Sequence, residues 1–249
     1  MSYIEGFVLA VPTANKEKFI AHAEEIDPLF LKFGARRVLE GWGEDIPSGK
    51  QTDFFRAVEA KDDETVCFSW IEWPDKAARE QGMGKIMEMM KAEARFDPAK
   101  NPMPFDGKRM IFGGFEPIVD EGKPTPGAYV QGFVLAVPEA NKEAYRKMAT
   151  KAWDMFGGYG ALRLVEAWQE EVPEGKQTDF FRSVQARPDE KVVFSFVEWP
   201  SREACDAASA KMQAEVQPPS PDELPFDGKR MIYGGFQPVV ERIRQTAGA

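Results

Sequence analysis

One pattern is written twice along this chain. Tyr3 to Pro12 (YIEGFVLAVP) returns as Tyr129 to Pro138 (YVQGFVLAVP), and Lys50 to Arg56 (KQTDFFR) returns as Lys176 to Arg182, both at a shift of 126 residues. Pro104 to Ile111 (PFDGKRMI) recurs as Pro225 to Ile232 at a shift of 121, so the second copy is five residues shorter ahead of this motif. Each copy must be a complete folding unit, and two such units joined in one chain are expected to pack on each other as a fused pseudo-dimer.

Within each copy the hydrophobic period alternates between that of a strand and that of a helix. Tyr3 to Pro12 is rich in β-branched and aromatic residues and reads as a strand. Phe19, Ala23, Ile26, Phe30 and Phe33 then recur at spacings of four and three, as do Tyr145, Ala149, Ala152, Phe156 and Tyr159, which predicts helices capped at Asn15 and Asn141 and ended by Gly34 and Gly160. Pro28 is expected to bend the first of them. Arg36 to Glu44 and Leu162 to Glu170 read as second strands, and Val66 to Trp73 and Val192 to Trp199 as third strands. The following helices begin at Asp75 and Ser201, with a stripe of Ala204, Ala208, Met212 and Val216 in the second copy. Arg109 to Val119 and Arg230 to Val240 supply the last strands. Asp53 to Ala60 fits either a strand or a short helix. A fifth consecutive strand would reverse the direction of the next one, so an excursion from the sheet is expected there. The resulting order, βαββαβ twice, gives an α+β chain with one repeat over 1–122, a linker at 123–128, a second repeat over 129–243 and a tail at 244–249.

Composition removes several function classes. A formal net charge of −9 and a pI near 4.9 repel phosphate backbones and anionic lipid, and the sequence has no basic block to offset this. The apolar run from Phe7 to Val11 is far shorter than the ~20 residues that span a bilayer, and Glu5 stands where a signal peptide carries positive charge. Cytoplasmic residence is the expectation. Cys67 and Cys205 align with Val193 and Arg79, so neither thiol belongs to the shared pattern and both read as buried small groups. His22, the one histidine, aligns with Met148 and reads as a packing or partly exposed residue. A His or Cys metal cluster is not expected, nor is a cofactor.

The set GFVLAVP, a helix, a Trp-bearing strand, GKQTDFFR, VFSWIEWP and PFDGKRMIFGGF resembles the uncharacterised YbaA-like family of small bacterial proteins in the dimeric α+β barrel superfamily. The resemblance covers nearly all of both copies. It implies two tandem ferredoxin-like domains packed sheet to sheet as an intramolecular dimeric α+β barrel. It brings no reaction with it. The wider superfamily includes cofactor-independent monooxygenases, haem-degrading enzymes and muconolactone-type isomerases, which is analogy at the level of fold.

Residues kept in both copies are the candidate site. Asp53 with Arg56, and Asp179 with Arg182, sit three apart, where a carboxylate orients a guanidinium either to grip an anionic substrate or to tie a loop to the sheet. Lys108 with Arg109, and Lys229 with Arg230, follow an Asp-Gly turn, and one of each pair is positioned either for a cavity or for an ion pair. Trp42 and Trp168 read as core fillers or as the wall of an apolar cavity. Gly113–Gly114 and Gly234–Gly235 mark a bulge or a close backbone approach. The leading functional expectation is small-molecule binding or cofactor-independent catalysis, in a pseudo-dimer that is able to form further homo-oligomers. A non-catalytic scaffold with a solid interior is the alternative. RNA binding through Phe112 to Phe115 is a remote third, opposed by the acidic charge.

Overall fold

Eight strands close into a barrel, and the two copies contribute four each. The computed structural model describes residues 2–97, 99–215, 220 and 223–244. The first copy runs β1 (Tyr3–Pro12), α1 (Lys16–Lys32), β2 (Arg37–Asp45), α2 (Phe54–Ala57), β3 (Glu64–Trp73), α3 (Lys76–Ala92) and β4 (Ile111–Gly122). The second repeats this as β5 (Tyr129–Pro138), α4 (Lys142–Gly158), β6 (Arg163–Glu171), α5 (Phe180–Ser183), β7 (Glu190–Trp199), α6 (Arg202–Glu215) and β8 (Ile232–Ile243). The strand order around the barrel is β1-β3-β2-β8-β5-β7-β6-β4. Each half is therefore an antiparallel 4-1-3-2 sheet whose two edges are hydrogen-bonded to the other half, β2 to β8 and β6 to β4. Joined edges leave no open strand to recruit another chain.

Strand period 2 sorts the side chains between two cores. Ile4, Val8, Ala10, Phe68, Trp70 and Phe115 point inward and meet Phe194, Phe196 and Phe236 of the other half in one buried cluster. Phe68 stacks on Phe194 with centroids 4.4 Å apart, and Trp70 on Phe196 at 4.0 Å, so the barrel interior is filled with aromatic rings. The alternate residues, including Leu9, Val11, Trp42 and Cys67, face outward and are covered by the helices.

Each end of the barrel is closed by a different device. At one end Phe54 of α2 and Phe180 of α5 are fully buried edge-to-face against Phe236 and Phe115, and Thr52 Oγ1 donates to the Ser183 carbonyl at 2.6 Å. At the other, Arg37 forks onto Glu198 at 2.6 and 3.1 Å while Arg163 forks onto Glu72 at 2.8 and 3.1 Å. Glu241 and Asp120 accept from the two Nε atoms, each at 2.8 Å. This buried quartet crosses the seam between the halves twice. Sequence reading missed it because its members are charged residues on strands that meet only in the closed barrel.

Several local expectations are met and others are corrected. Asp53 to Ala60 forms the short helix α2 outside the sheet. Asp75 and Ser201 cap α3 and α6, accepting from Ala78 N at 2.8 Å and Ala204 N at 3.2 Å. Asn15 and Asn141 occupy cap positions but make no cap bond. A 3-10 turn precedes each helix, and the two side chains donate instead to the Pro104 and Pro225 carbonyls, fastening the PFDGKR segments. Helix α1 continues through Pro28. The last strands begin at Ile111 and Ile232, two residues later than the sequence suggests, so Arg109 and Arg230 stand in the preceding turns. Gly114 and Gly235 are explained by close approach, since a Cβ there would lie 1.8 and 2.1 Å from the hydroxyls of Tyr3 and Tyr129. Both cysteines are free and buried. Val216 and residues 245–249 of the tail lie outside the described residues.

Candidate functional site

The ten residues singled out by repetition are not gathered into one site. Arg56 and Arg182 are more than half exposed, and each donates to a glycine carbonyl, Gly49 or Gly175, at 2.7 Å. Asp53 and Asp179 are buried caps of α2 and α5, accepting from Arg56 N at 2.8 Å and Arg182 N at 2.7 Å and from the same glycines' amides at 3.1 Å. Lys108 and Lys229 are exposed in their turns. Arg109 is buried in a bidentate pair with Glu64, both bonds 2.6 Å, and Arg230 repeats this with Glu190 at 2.7 and 2.6 Å. Each guanidinium also holds the carbonyl of a positive-φ residue that closes the excursion, Glu59 or Gln185, at 2.8 Å. These guanidiniums lower the pKa of Glu64, to about 2, and of Glu190. Trp42 and Trp168 fill the space between sheet and helix under Lys16 and Lys142.

A cleft does exist, on the outer face of the first sheet beneath α1. Period 2 turns Phe7 and Leu9 of β1, Glu40 of β2, and Ser69 and Ile71 of β3 toward the helix. From α1, Phe19, His22, Ala23, Ile26, Asp27 and Phe30 descend on them, with Phe105 and Met110 at the side. Together they enclose about 130 Å³. His22, Ile26, Phe105 and Met110 also line a wider outer recess of about 610 Å³ that reaches Met90, Arg95 and Lys108, so the cleft opens through a vestibule.

Its polar content is two carboxyl groups, a hydroxyl and, at the mouth, the His22 imidazole. Ser69 and Glu40 are cross-strand partners, and the Ser69 hydroxyl donates to Glu40 Oε2. Asp27 is 2% exposed, and its Oδ2 has no hydrogen-bond partner. Burial pushes the Asp27 carboxyl far above the ordinary carboxylate range, and the neighbouring Glu40 adds to the shift while Arg242 opposes it. Glu40 is likewise raised by burial, against the hydrogen bond from Ser69. Burial lowers the pKa of His22 at the mouth, against the pull of Glu25. Such a pair of carboxyl groups has the chemistry to exchange protons with a small molecule and to accept hydrogen bonds from donor groups. Among the described residues no cluster is arranged to hold a metal ion.

The same place in the second half is built differently. Tyr145 stands where Phe19 does, and its hydroxyl donates to Glu166, the counterpart of Glu40, at 2.5 Å. Trp153 replaces Asp27 and Met148 replaces His22. Glu166 is pushed up to about 7 by burial, so the sheet-side carboxyl keeps its environment while the helix side has lost the acid facing it.

Residues 2–107 and 128–228 each match the family described as "Protein of unknown function (DUF1428)". The chain belongs to that family. The Uncharacterized protein YbaA of Escherichia coli (strain K12) is 53% identical over 114 residues, which is 45% of this chain and 97% of that protein. YbaA of Shigella flexneri matches to the same extent. Among solved structures, a "putative monooxygenase" from Lactobacillus acidophilus NCFM aligns over 98% of this chain and 96% of its own at a TM-score of 0.55 and 13% identity. Another protein so described, from Fusobacterium nucleatum, aligns over 98% and 94% at 0.53 and 8%. These two share the α+β barrel fold. One family copy thus spans half of this barrel, and this family member carries both halves in one polypeptide.

Comparison of the two copies points away from the cleft, because His22, Asp27 and Phe19 all sit at positions where the copies differ. A different signal marks it. Asp27 falls four residues after Ala23 and three before Phe30, inside the apolar stripe of α1, where a carboxyl has no structural reason to be.

Proposed function

We propose that this protein binds a small molecule in the cleft beneath α1, and that Asp27 and Glu40 exchange a proton with it. The observation that carries the reading is the unpartnered Asp27 Oδ2, buried in the wall of a cleft that opens to solvent through a vestibule. An unsatisfied buried carboxyl costs about 1–3 kcal/mol or more, and such groups persist where a ligand completes them. Nine apolar or aromatic side chains around two acids, a hydroxyl and the His22 imidazole match the usual make-up of a ligand pocket, an apolar wall with a few converging polar groups. With its pKa raised, Asp27 presents an O–H to the ligand at neutral pH, while Glu40, fixed by Ser69, is the stronger candidate to accept a proton. The aromatic filling of the barrel interior supports a site outside it, between sheet and helix. The wider superfamily's enzymes and the two solved monooxygenase-like folds raise the prior for proton chemistry on an organic substrate only by analogy.

The second half supplies its own control. Phe19→Tyr with Asp27→Trp copies the Tyr145 and Trp153 side chains of the second half into the first. We expect compounds in a metabolite panel that raise the melting temperature of the wild-type chain to lose that effect in the double variant, which should fold normally. A panel in which every stabilising compound acts equally on both proteins would overturn the reading.

A further inference from the structure

We infer that the cleft is built for a protonated amine carried on a body no larger than one ring. This rests on the cleft being a ligand site and adds the chemical class of the ligand. Among the described residues lining the inner cleft there is no Lys or Arg; besides His22, which burial biases toward the neutral form, the ionisable groups are two acids, Asp27 from α1 and Glu40 from β2. The one hydroxyl, Ser69 from β3, is spent on Glu40, and Asp27 Oδ2 receives no donor from the protein. Arg242 of β8, the cation that acts on Asp27 from outside the cleft, is engaged with Glu24 at 3.5 Å. What the site lacks is therefore positive charge bearing several N–H donors, which an ammonium group supplies.

The walls agree. Phe7, Phe19, Phe30 and Phe105 surround the acids, and aromatic faces attract a cation while repelling a carboxylate. A volume of about 130 Å³ is close to that of an engineered apolar cavity of about 150 Å³ that takes benzene, which limits the body to one ring or a short chain. On binding, the ammonium brings its own protons and the protons that burial keeps on Asp27 and Glu40 pass to solvent, so affinity rises with pH until the amine itself deprotonates. The charged groups facing this event are Asp27, His22 and Glu25 from α1, Glu40 from β2 and Arg242 from β8.

Benzylamine, benzyl alcohol and benzoate are matched probes, titrated calorimetrically into the full chain at pH 6, 7 and 8. The expected result is benzylamine tighter than benzyl alcohol by about tenfold or more, the ratio of a charge-assisted to a neutral contact, growing with pH, and no binding of benzoate. Asp27→Asn and Glu40→Gln, which conserve volume, should remove the advantage of the amine over the alcohol. Equal affinities for amine and alcohol would overturn the amine assignment and leave the cleft reading standing. Failure of all three probes on the wild type would overturn both. Amine binding that survives in the Phe19→Tyr, Asp27→Trp variant would be attraction to the acidic surface, and would also overturn the assignment.

Discussion

At the scale of single residues, the carboxyl of Asp27 is buried with an unpartnered oxygen, and that placement has a pH signature. Its pKa in the folded state lies far above the unfolded value of about 3.9, so in the folded protein it keeps a proton that the unfolded chain releases. Stability from this group is fully present below about pH 4 and is lost as pH rises through the folded pKa. Asp27→Asn cannot ionise. In urea melts at pH 5 and pH 9, the variant should lose less stability across that interval than the wild type, by at least about 1 kcal/mol, the worth of a single pKa unit. Identical slopes for the two proteins would show that Asp27 is ionised and solvated in the folded state. The residue is also where sequence reading fell short. Repetition marks what the copies share, and sharing selects groups that hold the fold, such as Asp53 and Arg109. The cleft depends on Asp27 and His22, which only one copy has. A polar residue on an apolar helix stripe was legible in principle, through burial rather than repetition.

The secondary elements were largely legible, because strand and helix periods are local and the repeat supplied each twice. The short helices α2 and α5 were constrained by topology alone, and the structure now explains their upkeep. Each is capped by a buried aspartate and latched at its far end by a buried arginine, so the two conserved arginine positions have unequal weight. Arg56 is mostly exposed, and its pair with Asp53 at 3.1 Å is a surface salt bridge. Arg109 is buried on Glu64, and its loss would strand that carboxylate. Arg56→Ala should therefore cost under about 1 kcal/mol, and Arg109→Met about 3–5 kcal/mol, measured by chemical denaturation. Comparable losses at the two positions would contradict this ranking. The Asn15 and Asn141 side chains follow the same logic, since they were expected to serve their own helices and instead hold the segment that leads into the last strand.

For the whole molecule, the halves are more than neighbours. Strands β2 and β8, and β6 and β4, are hydrogen-bonded along both seams, and the aromatic stacks Phe68 on Phe194 and Trp70 on Phe196 pair one half with the other. Neither half keeps a sheet edge or an inner face covered if the other unfolds, so the chain should melt as one cooperative unit despite its two repeats. The buried quartet tests this, because Glu198 is shared by Arg37 of the first half and Arg163 of the second, at 2.6 and 3.5 Å. Glu198→Ala takes the bidentate partner from Arg37 in a dry site and leaves it Glu241 and a 3.4 Å contact to Glu72, at a cost of about 3–5 kcal/mol. At about 2–4 °C per kcal/mol for a chain of this size, the melting temperature should fall by roughly 6–20 °C. Scanning calorimetry should show a single transition before and after the change, with the calorimetric and van't Hoff enthalpies equal. A wild-type trace that resolves into two transitions, or a variant in which one half melts ahead of the other, would mean that the seams are weaker than the core of each repeat.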